Sequence, residues 1–375
     1  MRHPLLLLLS VAVFTACTGA GGPSAELSST GEGWVMFQHD PAHTGRAEMD
    51  IRPPLKQLWR AQIQGLVGYS SPVVADGLVL VGGTDWHLYA FNATTGELVW
   101  KFPTGGEVHT TAAVAGDVVF FGSFDGYLYA LDLTTGEKLW KYRAGAEILS
   151  SPAVVQGRVY FGTFDGSIVA LNAANGKKLW EKRTSGQVHS SPAVSGGTVI
   201  TSSYQEHRVY ALDAQTGKVL WTFDTGGFIH ASPAVEGGKV YIPSKDSYLY
   251  CLDLNTGREL WRFETGAPID STPAVAHNRV IFGSYDGFVY AVDAGSGEKL
   301  WSTEIGAEFI GSPAVSGDVV YIGGLDGRFY ALSVQNGSVL WNTSLGRMTY
   351  SSPAVARGRV YIPSLEGVLY AFVPE

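Results

Sequence analysis

Trp59, Trp100, Trp140, Trp180, Trp221, Trp261, Trp301 and Trp341 recur every 40 or 41 residues. The text between them recurs too. Ser151-Pro152-Ala153-Val154, Arg158-Val159-Tyr160-Phe161-Gly162 and Asp165-Gly166 return as Ser312-Pro313-Ala314-Val315, Val319-Val320-Tyr321-Ile322-Gly323 and Asp326-Gly327. A repeat of this length is one supersecondary unit that cannot bury its faces alone, so the units must stack on one another. This overrides the two or three separate domains that a length of 375 residues suggests.

Each unit reads as four short strands. The Ser-Pro-Ala-Val segment is an innermost strand, with Pro at its start, where a missing N–H is tolerated. Val-Tyr-Phe-Gly is the second strand, and Asp-Gly makes a tight turn into the third. Thr-Gly turns the chain into a fourth strand that begins at Leu-Trp. With 47 Gly, 12% aromatic and 16% charged residues, the composition is that of a turn-rich β protein and not of a disordered chain. Innermost strands begin near Ser71, Thr111, Ser151, Ser191, Ser232, Thr272, Ser312 and Ser352. The fold expected is therefore all-β, an eight-bladed β-propeller with four-stranded blades. The eighth unit reaches Glu375 without a Leu-Trp strand, and Leu58-Trp59 precedes the first unit. The N-terminal strand is expected to complete the last blade and so remove an open sheet edge.

The pattern Ala130-x-Asp132-x-x-Thr135-Gly136-x-x-x-Trp140 resembles the tryptophan-docking motif of PQQ-like (pyrroloquinoline-quinone repeat) propellers. The resemblance covers residues 34–375 and implies that each repeat Trp packs between neighbouring blades. Trp34, Asp40, Thr44 and Gly45 also resemble the segment that precedes the first blade in many such proteins. Trp34, outside the repeat, is expected to contribute less to stability than Trp180.

The N-terminus reads as a targeting signal. Arg2 supplies a positive start and Leu5 to Val13 an apolar run too short to span a membrane. Phe14-Thr15-Ala16-Cys17 then resembles a bacterial lipobox, with Phe14 a departure from the usual Leu. Residues 1–16 are assigned to a lipoprotein signal peptide, 17–33 to a Gly/Ser/Thr-rich tether from lipidated Cys17, and 34–375 to the propeller. An ordinary secretory signal cleaved near Ala16 or Ala20 is the alternative. Cys251 is the only other cysteine, so no disulfide is expected, and in its strand context it reads as a small core residue. The net charge is −8 and no basic block occurs, which argues against nucleic acid as a partner. The chain is expected to be exported and lipid-anchored to the cell envelope, at the outer membrane facing the periplasm, touching membrane only through the lipid.

Quinoprotein dehydrogenases share this repeat. The resemblance to them implies a vicinal cysteine pair, Ca²⁺ ligands, a catalytic Asp and long insertions around the quinone. This sequence has no adjacent cysteines, no Cys-x-x-Cys-His and units that vary by one residue in length. No catalytic residue, metal or cofactor is therefore expected. Asp125-Gly126, Asp165-Gly166, Asp286-Gly287 and Asp326-Gly327 read as turns.

One position varies where the rest repeats. Three places before each proline position stand Tyr69, His109, Leu149, His189, His230, Asp270, Ile310 and Tyr350. At the start of an inner strand this place should rim the central channel. Tyr69, His109, His189, His230, Asp270 and Tyr350 thus form a candidate ligand site at the channel mouth. Glu107, Glu147, Gln187 and Glu308 lie two places earlier, and Phe124, Phe164, Tyr204 and Tyr285 lie in the turn before the Asp-Gly position. Either the three histidines hold a ligand or metal, since imidazole suits Zn, Cu or Ni, or the mouth is merely solvated. In architecture and lipid anchor the chain resembles the BamB family of outer-membrane assembly propellers. That resemblance implies a non-enzymatic scaffold binding cell-envelope proteins, although the repeats here are more regular. The alternative is a quinoprotein-like oxidoreductase or sensor that binds PQQ or another small ligand in the channel.

Because the anchor reading rests on one residue, Cys17→Ala should move the protein from the membrane pellet to the soluble fraction. A variant that still pellets after a salt wash contradicts it.

Overall fold

The computed structural model describes residues 33–375, and the signal peptide, Cys17 and all of the tether but Gly33 lie outside them. Among the described residues there is no helix, and the strands form eight antiparallel sheets arranged as the blades of a ring. Blade 3 is typical, with strands Ala153–Val155, Arg158–Gly162, Ser167–Asn172 and Lys178–Arg183 in that order from axis to rim. The second and third strands are buried on both faces, which accounts for their unbroken apolar runs. Blade 8 holds Ala354–Ala356, Arg359–Pro363 and Val368–Pro374, and its outermost strand is Leu55–Gln62, with Trp59 opposite Ala371. The N-terminal strand closes the ring, as expected from the sequence. Blade 7 departs from the four-strand pattern. A fifth, parallel strand, Arg46–Ala47, lies inside its innermost strand Ala314–Ser316.

The Asp-x-x-Thr-Gly-x-x-x-Trp motif is a device for aiming the tryptophan. In blade 2, Asp132 Oδ1 accepts the N–H groups of Thr134 (3.0 Å) and Thr135 (2.8 Å), and Gly136 takes φ +71°. The fourth strand then bulges at Leu139, leaving that side chain 53% exposed. A bulge re-aims the next residue, and Trp140 turns onto the neighbouring blade. Its Nε1–H donates to the Ala173 carbonyl at 3.1 Å, as Trp180 does to Ala214 (3.1 Å) and Trp100 to Leu133 (2.9 Å). The ring lies flat on the Gly of the next blade's turn. A Cβ on Gly176 would meet Trp140 at 2.6 Å, and one on Gly217 would meet Trp180 at 2.6 Å. Trp341 is the exception, because the chain-closed blade 8 offers it no such turn. It packs edge-on against Phe372 at 5.8 Å instead.

A second set of contacts runs around the axis. The Ser71 N–H donates to Thr111 Oγ1 (2.9 Å), Thr111 to Ser151 (2.9 Å), Ser151 to Ser191 (3.0 Å) and Ser191 to Ser232 (2.8 Å). Ser232 donates to Thr272, Thr272 to Ser312 and Ser312 to Ser352, and Ser352 returns to Ser71 Oγ, each at 3.0 Å. The result is a closed hydrogen-bonded circle through all eight blades.

The segment before the first blade occupies one end of the channel. Its carbonyls accept the N–H groups that the innermost strands point at the axis. Trp34 O takes Val74 (2.8 Å), Val35 O takes Val114 (2.7 Å) and Pro41 O takes Val194 (2.6 Å). Ala42 O, Thr44 O and Gly45 O take Val235, Val275 and Val315, each at 2.8 Å. The Asp40 carboxylate holds the bend by accepting the Ala42 N–H (2.8 Å) and the Thr44 hydroxyl. The expectation that Trp34 is peripheral is corrected here. At 1% exposure it is more buried than Trp180, at 8%, because it sits between blade 1 and the plugged channel.

Trp180→Ala should cost about 3–5 kcal/mol, as for other buried aromatics, and Trp34→Ala should cost as much. Chemical denaturation of both variants checks this, and an unchanged midpoint for either contradicts its packing role.

Candidate functional site at the channel mouth

The other end of the channel is open. The eight variable positions read from the sequence all line one cup there, of about 530 Å³ with open solvent included. Each stands two residues before the Ser/Thr circle, so the circle sets the cup's diameter. Its floor is Phe37, contributed by the plug.

The channel is narrow enough for blades on opposite sides to touch. Tyr69 of blade 1 meets His230 of blade 5 at 5.7 Å between ring centroids. It also stacks on Tyr350 of blade 8 (5.7 Å) and reaches His109 of blade 2 (6.1 Å). A continuous aromatic arc runs beside it. His109 packs on Phe124 (4.7 Å), Phe124 on Phe164 (5.5 Å) and Phe164 on His189 (4.7 Å). His189 stacks on Tyr204 (4.6 Å), and Tyr204 on Phe228 (4.7 Å). Leu149 and Ile310 supply apolar wall.

The three histidines do not converge. His189 and His230 touch edge-on at 5.4 Å, while Phe124 and Phe164 stand between His109 and His189. Each imidazole has its own polar neighbour. His109 Nε2 lies 2.6 Å from Glu107, His189 Nε2 lies 2.8 Å from Gln187, and His230 Nδ1 lies 4.0 Å from Asp270. Among the described residues no group of three or more His, Cys, Asp or Glu is arranged to hold a metal ion. Burial holds the His189 imidazole down at about 4, with the nearby His230 and Lys245 adding to the effect. Burial also lowers His230, opposed by the Asp270 carboxylate.

Asp270 is the cup's buried charge, its side chain 4% exposed. Its Oδ2 accepts from Lys245 Nζ (3.0 Å) and from the Tyr285 hydroxyl (3.0 Å). Its Oδ1, like Nδ1 of His109 and of His189, is buried without a partner. Burial and the Asp270 carboxylate keep the Tyr285 phenol protonated well above its usual range. The sequence reading missed Lys245, Phe228 and the Phe37 floor. Lys245 had a signal, since it stands in the turn position filled by Phe124, Phe164 and Tyr285 in other blades. The repeated Asp-Gly pairs are turn formers, as read. Asp125 Oδ1 accepts from Tyr127 N–H (3.0 Å), its Oδ2 accepts from Gly105 N–H (2.8 Å) and the Tyr129 hydroxyl (2.6 Å), and Gly126 takes φ +79°. Cys251 is fully buried in a strand, and burial pushes its thiol up to about 12.

A sequence profile of a family described as "Outer membrane protein assembly factor BamB" matches residues 56–207 and 205–374. The BamB of Burkholderia pseudomallei (strain K96243) is 44% identical over 52 residues, which is 14% of this chain and 13% of that relative. The match therefore spans well under two thirds of that protein's length. Among solved structures, BamB from Moraxella catarrhalis is similar with a TM-score of 0.74 at 22% identity, over 85% of this chain and 99% of that one. A quinohemoprotein alcohol dehydrogenase from Comamonas testosteroni is similar with a TM-score of 0.79 at 17% identity, over 94% and 82%. At such identities the two structures share the fold with this chain, and nothing more is carried by the likeness.

His189 and His43, a buried residue of the plug, are both held near 4, in each case chiefly by burial. From the ordinary imidazole value of 6.5 down to about 4, the unfolded chain takes protons that the folded chain refuses. Stability should be complete above that window and fall as the pH drops through it. His189→Phe, which keeps the stack, should flatten part of the fall in melting temperature. Superimposable pH curves for variant and wild type contradict this.

Proposed function

The chain belongs to the family described as outer membrane protein assembly factor BamB, and on that premise we propose that it is a non-enzymatic scaffold of the cell envelope, tethered by a lipid on Cys17 and working through its channel-mouth face in the assembly of outer-membrane proteins. The observation that supports this reading is the inequality of the two faces. One end of the channel is filled by the chain's own segment 34–47, whose carbonyls accept the inner-strand N–H groups of six blades. The other end carries exposed Tyr69 and Phe228, with Leu66 and Trp86 also exposed. Exposed apolar groups of this size in a polar surround are characteristic of docking surfaces. Gly33 joins the plug at Trp34, beside Val74. A lipid tether attached there draws the plugged face toward the membrane and turns the mouth to the periplasm.

A second reading, a quinoprotein-like oxidoreductase or sensor, draws support from the stacked rings of Phe164, His189, Tyr204 and Phe228. Against it stand the buried, proton-holding Cys251 thiol and the lack of an adjacent cysteine.

A photo-crosslinker at position 228 should capture a component of the outer-membrane assembly machinery in living cells, and one at Arg357 on the opposite face should not. If position 228 captures none, and PQQ with Ca²⁺ raises the melting temperature by several degrees in wild type but not in a His109/His189/His230→Ala triple variant, the second reading replaces the first.

A further inference from the structure

The chemistry of the cup restricts what enters it. Asp270 Oδ1 is a buried carboxylate oxygen with no donor, and an unmet buried acceptor is costly. Lys245 cannot serve it while its ammonium is held on Oδ2. Around the rim Glu147 and Glu308 are exposed and Glu107 is half-buried beside His109, while the one lysine among them, Lys245, is held on Asp270, so the balance of charge at the mouth favours cations over anions. The wall beside Asp270 is aromatic, with Tyr69 and Tyr350 stacked at 5.7 Å and Tyr69 also against His230. Aromatic faces of this kind attract cations. Tyr69 already spans the axis to His230, so the space beside it suits a headgroup on a slender stem and not a fused ring system.

We propose that the channel mouth is a receptor for a single cationic nitrogen group, an alkylammonium or guanidinium, whose N–H reaches Asp270 Oδ1 beside the Tyr69 ring. The group is carried either by a free amine or by a Lys or Arg side chain on a partner's loop. The inference rests on the reading of the mouth as the working face and names what that face takes.

Calorimetric titration of the whole soluble domain with methylguanidinium, spermidine and a capped Gly-Arg-Gly peptide tests it, with urea as the neutral control. The cations should bind and urea should not. Asp270→Asn should weaken binding by about tenfold or more. Should that variant fail to fold, Glu308→Gln, at an exposed position, should weaken binding while keeping the wild-type melting temperature, and Tyr69→Leu should weaken binding while remaining folded. Binding of the free cations assigns the site to small amines as well, and binding of the peptide alone assigns it to a partner's side chain. The proposal is overturned if none of the three binds, if urea binds equally well, or if folded Asp270→Asn and Tyr69→Leu bind like wild type. Absent cation binding with the position-228 cross-link intact sinks this inference and leaves the scaffold standing. Cation binding without a cross-link does the reverse.

Discussion

The closed circle of hydrogen bonds from each blade's inner-strand N–H to the next blade's Ser or Thr hydroxyl is the contact on which the rest of the molecule is built. Blades that touch only their neighbours form an open stack unless something fixes how many fit around the axis. The Trp docking on the outermost strands and the hydroxyl circle at the axis supply that from two radii. In most units a Pro follows the Ser or Thr, so the strand start offers one N–H to the next blade and leaves no further donor to satisfy. Because the circle returns from Ser352 to Ser71 at the same 3.0 Å as its other links, the ring closes without a widened seam. The inner radius follows, and it decides that Tyr69 can reach His230 across the axis.

Much of this was legible in the sequence because repetition averages away local ambiguity. The Trp period gave the blade count, and Leu58-Trp59 before the first unit gave the closure. The hydroxyl circle was printed in the sequence as a Ser or Thr at every unit's start. It was read only as a strand boundary, because its partner is a backbone N–H, which carries no sequence signature. The Leu or Val before the repeat Trp, exposed in all but Leu260, reads as core from composition alone. Only the bulge at positions such as Leu139 turns it outward.

The mouth was legible for the opposite reason. Against a background of repetition, the varying position from Tyr69 to Tyr350 marked the surface where the blades need not agree. Which of those residues touch was not legible, since that depends on the channel radius and not on blade order. His109 and His189, two blades apart, are separated by phenyl rings, while Tyr69 and His230, four blades apart, are in contact.

The plug shows how a structural obligation becomes a functional asymmetry. Innermost strands of a propeller expose one edge to the channel, and unpaired edge donors buried from water cost free energy comparable to a lost hydrogen bond each. Residues 34–47 answer six of them with their own carbonyls, which is why Trp34, with no repeat partner, is buried so completely. A non-repeating segment meets a ring with eightfold repetition, so it must treat the blades unequally, and blade 7 alone gains the strand Arg46–Ala47. Among the described residues, filling one end leaves the variable side chains of the other end as the part of the axis free to meet another molecule. The plug's Phe37 becomes the floor on which that molecule would rest. Stability at one end of the channel and recognition at the other are thus parts of one arrangement.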